Sequence, residues 1–272
     1  MAARFSLAAA FTTDSEFSHG TLFHAMTLHQ SEAIVLRTWP LRESDLLISL
    51  LTRDMGKVRG IAKAGLKSRK RFGGTLEPMT YVHAAYAERP RQELVRMDHF
   101  EAITSPLAEP IDYLRAATLG YYAEVLENVL PDHDPQDAVF RLTLAVLEQS
   151  QVDRCWMPIT YFSLWITRLI GWLPEIDRCV DCGEAFAGEA AYFHVLSDGL
   201  SCVRHKKPNS GILSRDSLAL AQRMLRDPIR AMSAEPWTRQ NGRDLRRFLV
   251  RTLERHTERH LNSAEVFSRM GG

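Results

Sequence analysis

Residues 53–78 read RDMGKVRGIAKAGLKSRKRFGGTLEP, a basic stretch that lies inside a group of predicted strands. Its first part holds one acid, Asp54, among the basic residues Arg53, Lys57, Arg59, Lys63, Lys67, Arg69, Lys70 and Arg71. The basicity is local, because the 272-residue chain has a formal net charge of +1. Such runs often serve only solubility. Here glycines, which let a backbone approach a ligand, and the embedded Phe72 favour nucleic acid, since cations follow phosphates and aromatic rings stack on bases.

The surrounding residues predict a small β domain. Alternating and β-branched residues indicate strands near residues 33–39, 45–52, 57–63, 79–87 and 93–103. Five short strands fit an OB-fold barrel, whose strand 2–3 face often binds oligonucleotides, although the pattern alone does not separate it from an SH3-like barrel. The basic stretch would begin on the third strand and continue as a loop beside the groove. We therefore predict an OB-fold DNA-binding domain over residues 29–104, with Arg37, Phe72 and the basic residues named above as DNA contacts.

Residues 105–272 are predicted to form a helical domain, so that the fold class is multidomain α+β. Apolar residues recur at three and four near residues 111–130, 136–151, 158–172, 214–225 and 241–260. The last of these helices is rich in arginine. We favour a solvated face there over a second DNA contact, because Asp244, Glu254 and Glu258 would offset part of the charge through i,i+3 and i,i+4 pairs.

Two short motifs predict a metal site. Cys179 and Cys182 form one C-x-x-C pair, and Cys202 and His205 form a C-x-x-H pair after nineteen intervening residues. Three thiolates and an imidazole make the tetrahedral set of a structural Zn²⁺ site, and four protein ligands leave no open position for a catalytic water. We predict a zinc ribbon at residues 176–208, with His194 as the reserve ligand if His205 points away.

Several function classes are poorly supported. No apolar run approaches the roughly 20 residues that span a bilayer. No phosphate loop or G-x-S-x-G motif is present, and the HTERH sequence at residues 256–260 is not the HExxH of a zinc protease. A non-enzymatic nucleic-acid-binding protein is favoured over a zinc-dependent enzyme or a zinc-ribbon transcription or replication factor. The low cysteine content indicates a reducing, cytoplasmic setting. Residues 1–28 are predicted to be a disordered extension or a mis-assigned start, with Met26 as the initiator.

From about Glu32 to the C-terminal helices the chain also resembles a known family, and the motifs for this lie in residues 32–80. They contain Glu43-Ser44-Asp45, then Thr52 with Gly56, then KRFGGTLEP at residues 70–78, in the order found in the amino-terminal domain of the bacterial recombination mediator RecO. The resemblance implies an OB-fold that binds single- and double-stranded DNA, anneals strands and helps to load recombinase, in the cytoplasm at the nucleoid. It also implies the partners RecR and the tail of the single-strand binding protein, which would dock on the helical domain. RecO-like proteins commonly carry four cysteines in their ribbon, so His205 departs from the pattern.

Overall fold

The computed structural model describes residues 26–89 and 91–269. The amino-terminal part is a closed barrel with the strand order β1-β2-β3-β5-β4, in which β4 pairs back with β1. Its strands are β1 (Thr27–Pro40), β2 (Leu46–Thr52), β3 (Gly56–Ala62), β4 (Tyr81–Glu88) and β5 (Val95–Thr104). Neighbouring strands are antiparallel except β3 and β5, which pair in parallel at Gly60–Val95 and Ile61–Arg96. The predicted β domain is thus confirmed.

The first strand is longer than predicted because it pairs on both edges. Its first half, Thr27 to Ile34, pairs with β4, and its second half, Ala33 to Pro40, pairs with β2. A register shift between Val35 and Arg37 lies in the second half, and such a bulge bends a strand. Residues 27 and 28 therefore belong to the barrel and not to the predicted amino-terminal extension. Residues 1–25 of that extension lie outside the described residues.

The segment between β3 and β4 contains short helical turns where a loop was predicted. A 3-10 turn spans Gly65–Lys67, and α1 spans Arg69–Phe72. The backbone N–H of Leu66 donates to the Ser44 carbonyl, and that of Ala64 donates to Asp45 Oδ1 at 2.8 Å. These bonds attach the segment to the β1–β2 connection, so it covers one end of the barrel.

The carboxy-terminal part is helical, as predicted. Its helices are α2 (Tyr113–Val129), α3 (Asp137–Gln149), α4 (Trp156–Leu169), α5 (Arg215–Met224), α6 (Ile229–Ser233), α7 (Arg243–Thr257) and α8 (Asn262–Arg269). The short helices α6 and α8 were not predicted. A three-stranded sheet with the order β7-β6-β8 lies between α4 and α5, with β6 (Ala191–Phe193), β7 (Leu200–Ser201) and β8 (Gly211–Leu213). Within the described residues, no helix combines the length and the apolar character needed to cross a membrane.

The barrel and the helices are joined through Lys57, at the start of β3. Its side chain is buried, and Nζ donates to the Glu127 carbonyl at 2.8 Å and lies 3.3 Å from Asp132 Oδ1. The N–H of His133 donates to the Lys57 carbonyl at 2.9 Å, which adds the α2–α3 connection to the edge of β3. Gly56 permits this approach: its φ is +70°, and a Cβ there would lie 2.1 Å from the Asp134 carbonyl oxygen.

We expect Lys57→Ala to lower the free energy of unfolding by about 2 to 4 kcal/mol, because it removes a buried ion-pair partner and leaves a carbonyl without its donor. Lys63→Ala is the matched control, since Lys63 is exposed, and it should change that free energy by no more than about 0.5 kcal/mol. Urea unfolding of both variants makes the measurement. Equal effects would contradict the role of Lys57 at the junction.

Candidate functional site

Four exposed cations lie together on the segment that covers the barrel end. They are Lys63, Lys67, Arg69 and Lys70, and we call them the basic segment. None of them forms an ion pair within residues 26–89 and 91–269. Four unpaired cations within residues 63–70 can neutralise phosphates of a polyanion.

Arg71 has a different position from its neighbours. It is only half-exposed, its Nε donates to Ser68 Oγ at 2.9 Å, and its guanidinium also donates to the Lys63 carbonyl. The guanidinium carbon lies 5.0 Å from the centre of the Phe72 ring. Arg71 therefore holds the basic segment in shape, and its charge adds to the potential around it.

Sequence reasoning missed the cations that other connections bring to this end of the barrel. Arg42 is exposed in the β1–β2 connection, which hydrogen-bonds to the basic segment. Arg89 and Arg91 are exposed in the β4–β5 connection, and the Gly60–Val95 pairing lays the start of β5 beside the end of β3. The sequence signal that could have identified these three arginines is their position in the turns between predicted strands.

Three of the predicted DNA contacts lie instead at the junction with the helical part. Arg53 pairs with Glu32 at 2.8 Å and stacks on Phe140 at 4.9 Å. Arg59 pairs with Asp132 at 2.6 Å. Lys57 is buried, so the prediction that it contacts DNA conflicts with its position: the helical part supplies the partners of its ammonium group.

Arg37 is separate from both groups. It is exposed on β1, with its guanidinium 5.1 Å from the centre of the Trp39 ring. It lines a cleft together with Glu124 and Glu127 of α2. The same cleft also holds Arg259, so both cations and carboxylates surround Arg37 there.

Phe72 is not available for base stacking in this structure. Its side chain is 2% exposed and packs edge to face on Phe100, with the ring centres 5.1 Å apart. In α1 the side chains of Arg69 and Lys70 are exposed, whereas the ring of Phe72 points into the barrel core. Phe72 is therefore a core residue that closes the barrel, and the expectation of a stacking platform there is corrected.

The predicted metal ligands meet in space. Ligand atoms of Cys179, Cys182, Cys202 and His205 all lie within 4.8 Å of one another. His205 Nδ1 is 3.7 Å from Cys179 Sγ and 3.2 Å from Cys202 Sγ. Metal–ligand bonds of zinc length would set tetrahedral neighbours about 3.6 Å apart, so the donor set fits such an ion in both chemistry and spacing.

Backbone turns orient the ligands of this Cys/His cluster. Gly183 N–H donates to the Cys179 carbonyl at 2.8 Å, and His205 N–H donates to the Cys202 carbonyl at 3.1 Å. Cys202 N–H also donates to Cys179 Sγ at 3.3 Å. Burial raises the pKa of the Cys179 thiol, but backbone N–H groups, that of Cys202 foremost, lower that pKa by more, so it ends below its ordinary value. A thiolate is the form that binds metal.

Two other candidate ligands lie outside the cluster. The reserve ligand His194 uses Nδ1 to accept the Leu196 N–H at 3.1 Å and is not among the grouped residues. Cys155 is buried and donates to the Gln151 carbonyl, and burial raises the pKa of its thiol to about 11. His205 therefore occupies the fourth place, and Cys155 is a core residue.

Comparison with known proteins gives a consistent result over both parts of the chain. The family model for the N terminus of Recombination protein O matches residues 26–106, and that for its C terminus matches residues 111–265. The DNA repair protein RecO of Koribacter versatilis is 51% identical over 243 residues, 89% of this chain and 99% of the relative. The DNA repair protein RecO of Bifidobacterium adolescentis is 33% identical over 199 residues, 71% of this chain and 80% of the relative.

We expect Phe72→Ala to lower the free energy of unfolding by about 3 to 5 kcal/mol, the cost of removing a buried phenyl ring from a core. Tyr113→Ala is the control, because Tyr113 is 70% exposed and should contribute within about 0.5 kcal/mol. Thermal or urea unfolding checks both. A Phe72→Ala protein as stable as the wild type would contradict the role of Phe72 as a core residue.

Proposed function

The chain belongs to the RecO family of DNA repair proteins, and we propose that it is a DNA-binding recombination mediator. In this role it binds single- and double-stranded DNA, anneals complementary strands and helps to load recombinase on DNA coated with single-strand binding protein. The observation that carries the proposal is the basic segment: four exposed, unpaired cations at one end of a closed barrel. The family membership agrees with it.

We assign the barrel to the OB-fold, extending from residue 27 to residue 104. Five strands closed in the order β1-β2-β3-β5-β4, with one parallel contact between β3 and β5, fit the five-stranded Greek-key barrel of that fold. The helical domain then covers residues 105–272. The connections that carry Arg42, Arg89 and Arg91 flank the strand 2–3 face, where OB-folds commonly bind oligonucleotides.

The proposed mechanism is electrostatic. Cations of the basic segment neutralise phosphates and release counterions, which supplies binding energy without base readout. Reduced repulsion lets two strands approach each other, and base pairing then drives annealing. No nucleotide hydrolysis is needed for these steps, so the protein acts as a binding protein and not as an enzyme.

The Cys/His cluster would hold one structural Zn²⁺ in a zinc ribbon at residues 176–208. Four protein ligands satisfy a tetrahedral ion and leave no position for a substrate. The cluster lies beside the small sheet, where the N–H of Val180 donates to the Leu200 carbonyl at 2.8 Å. A bound ion would therefore stabilise this segment by joining its two ligand pairs.

The partners follow from the family alone. RecR and the tail of the single-strand binding protein are proposed, with the tail on the helical domain, and the setting is the cytoplasm at the nucleoid.

The first experiment measures annealing of complementary oligonucleotides coated with single-strand binding protein, without nucleotide, across a salt series. We expect annealing that weakens as salt rises, because phosphate contacts are screened. Alanine at Lys63, Lys67, Arg69 and Lys70 should slow annealing and reduce the salt slope of single-strand binding by about 3, since each lost contact removes roughly 0.7.

The control for this variant replaces four ion-paired arginines of the helical domain, namely Arg141, Arg223, Arg230 and Arg269. It removes the same charge and should keep the wild-type slope. DNA binding without annealing would reduce the proposal to a plain binding protein. Absence of DNA binding would refute the proposed function.

Purified protein should contain about one Zn²⁺ per chain. Cys182→Ser should lose this zinc during dialysis against a chelator and melt at a lower temperature, because a serine hydroxyl is a poor ligand. Cys155→Ser should keep its zinc, since Cys155 is outside the cluster. Elemental analysis makes the comparison, and a metal-free wild-type protein that is fully folded would disprove the ribbon.

A further inference from the structure

A second basic surface runs along α7. Arg243, Arg247 and Arg251 are exposed and follow one another at intervals of four residues, and we call them the arginine ridge. Residues four apart lie about 6 Å apart along a helix axis, on nearly the same face. The ridge therefore extends over about 12 Å.

Asp244 and Glu254 line the same cleft as the ridge but do not form the i,i+3 and i,i+4 ion pairs with it that the sequence led us to expect. Asp244 accepts the Ser214 N–H at 2.6 Å and the Ser217 hydroxyl, and thereby supports the start of α5. Glu254 lies 2.6 Å from His260 Nδ1 and accepts the Leu261 N–H at 3.0 Å. In the part of the chain that the structure describes, no carboxylate forms an ion pair with a ridge arginine.

Phe193 of the small sheet holds two ridge cations close together. The guanidinium carbons of Arg247 and Arg251 lie 5.7 and 5.6 Å from the centre of its ring. The ring attracts each cation. The two cations nevertheless repel each other, and an anion placed between them would remove that repulsion. The arrangement favours an anionic partner at this position.

A fourth arginine adds positive charge behind the ridge. Arg246 is buried behind the ridge and donates to Thr160 Oγ1 and to the Asn241 carbonyl, each at 2.7 Å. Its guanidinium also donates to the Arg239 carbonyl, so all three acceptors are neutral, and Asp244 is the acid whose charge acts on it.

We propose that the arginine ridge binds the phosphates of a second nucleic-acid segment while the basic segment holds the first. The three ridge arginines are spaced by about 6 Å along the helix, so each can contact a different phosphate of one strand. None of the large apolar side chains exposed in the described residues lies on α7, although Trp156 and Phe267 line the cleft beside the ridge. The row of three cations on the helix surface favours phosphates over a protein partner. The inference rests on the proposed function and explains how two strands are held at once.

The two surfaces belong to different parts of the molecule. The basic segment covers the barrel end next to the β1–β2 connection, whereas α7 packs on α4, α5 and β8 of the helical part. A strand on the ridge therefore does not compete with a strand on the basic segment for the same cations.

The test is capture of a second strand. Full-length protein is bound to an immobilised thymidine homopolymer, and a fluorescent thymidine homopolymer is added, so that base pairing plays no part. We expect wild-type protein to retain the second strand at low salt. Alanine at all three ridge positions should reduce retention to background while binding of the first strand continues.

Two further variants make the result specific. Lysine at all three ridge positions should keep most of the retention, because phosphate contact needs charge more than the guanidinium shape. Alanine at Arg141, Arg223 and Arg230 removes equal charge from ion-paired sites and should retain the second strand as wild type does. Melting curves confirm that each variant folds.

Each other outcome has a definite meaning. Full second-strand retention by the ridge alanine variant would overturn the inference and leave the proposed function intact. A wild-type protein that binds one strand but never a second would also overturn the inference and leave the proposed function intact. If the alanine variant retains DNA but loses binding to polyglutamate, the ridge binds acidic protein, and the inference fails. Absence of any DNA binding by wild type would instead refute the proposed function.

Discussion

The buried ammonium group of Lys57 connects the two parts of this protein. It is satisfied by the Glu127 carbonyl and by Asp132, which lie at the end of α2 and just beyond it. A buried cation without partners is strongly unfavourable, so the barrel edge and the α2–α3 connection are held together. Asp132 also pairs with Arg59, and the tight backbone at Gly56 lets the connection approach. These contacts act together with Ile34, Leu36 and Leu51 of the barrel, which pack into the helical core, to set the orientation of the barrel on the helical part.

This junction also determines which cations are free. Arg53, Lys57 and Arg59 are as basic as their neighbours, yet each has a partner near the junction. The cations of the basic segment lie at the other end of the barrel, beyond the reach of those acids. Phe72 anchors that segment by entering the barrel core. The same short helix therefore buries an aromatic ring and exposes Arg69 and Lys70 within four residues.

The small sheet lies between the Cys/His cluster and the arginine ridge and contacts both. The small sheet beside the cluster supplies Phe193, which orients Arg247 and Arg251. The acids on α7 have other partners: Asp244 supports the start of α5, and Glu254 contacts the residues that lead into α8. The ridge arginines therefore have no ion-pair partner among the described residues, although acids lie on the same helix.

The sequence by itself determined the β-then-α order of the elements and the four grouped ligands of the Cys/His cluster. Both depend on residues that are close along the chain, through periodicity for strands and helices and through spacing for the ligands. It did not determine which basic residues are available, because the partner of Arg59 is 73 residues away and that of Arg53 is on another strand. It also misplaced Phe72 at the surface. Burial and ion pairing are long-range properties, and only the tertiary structure decided them.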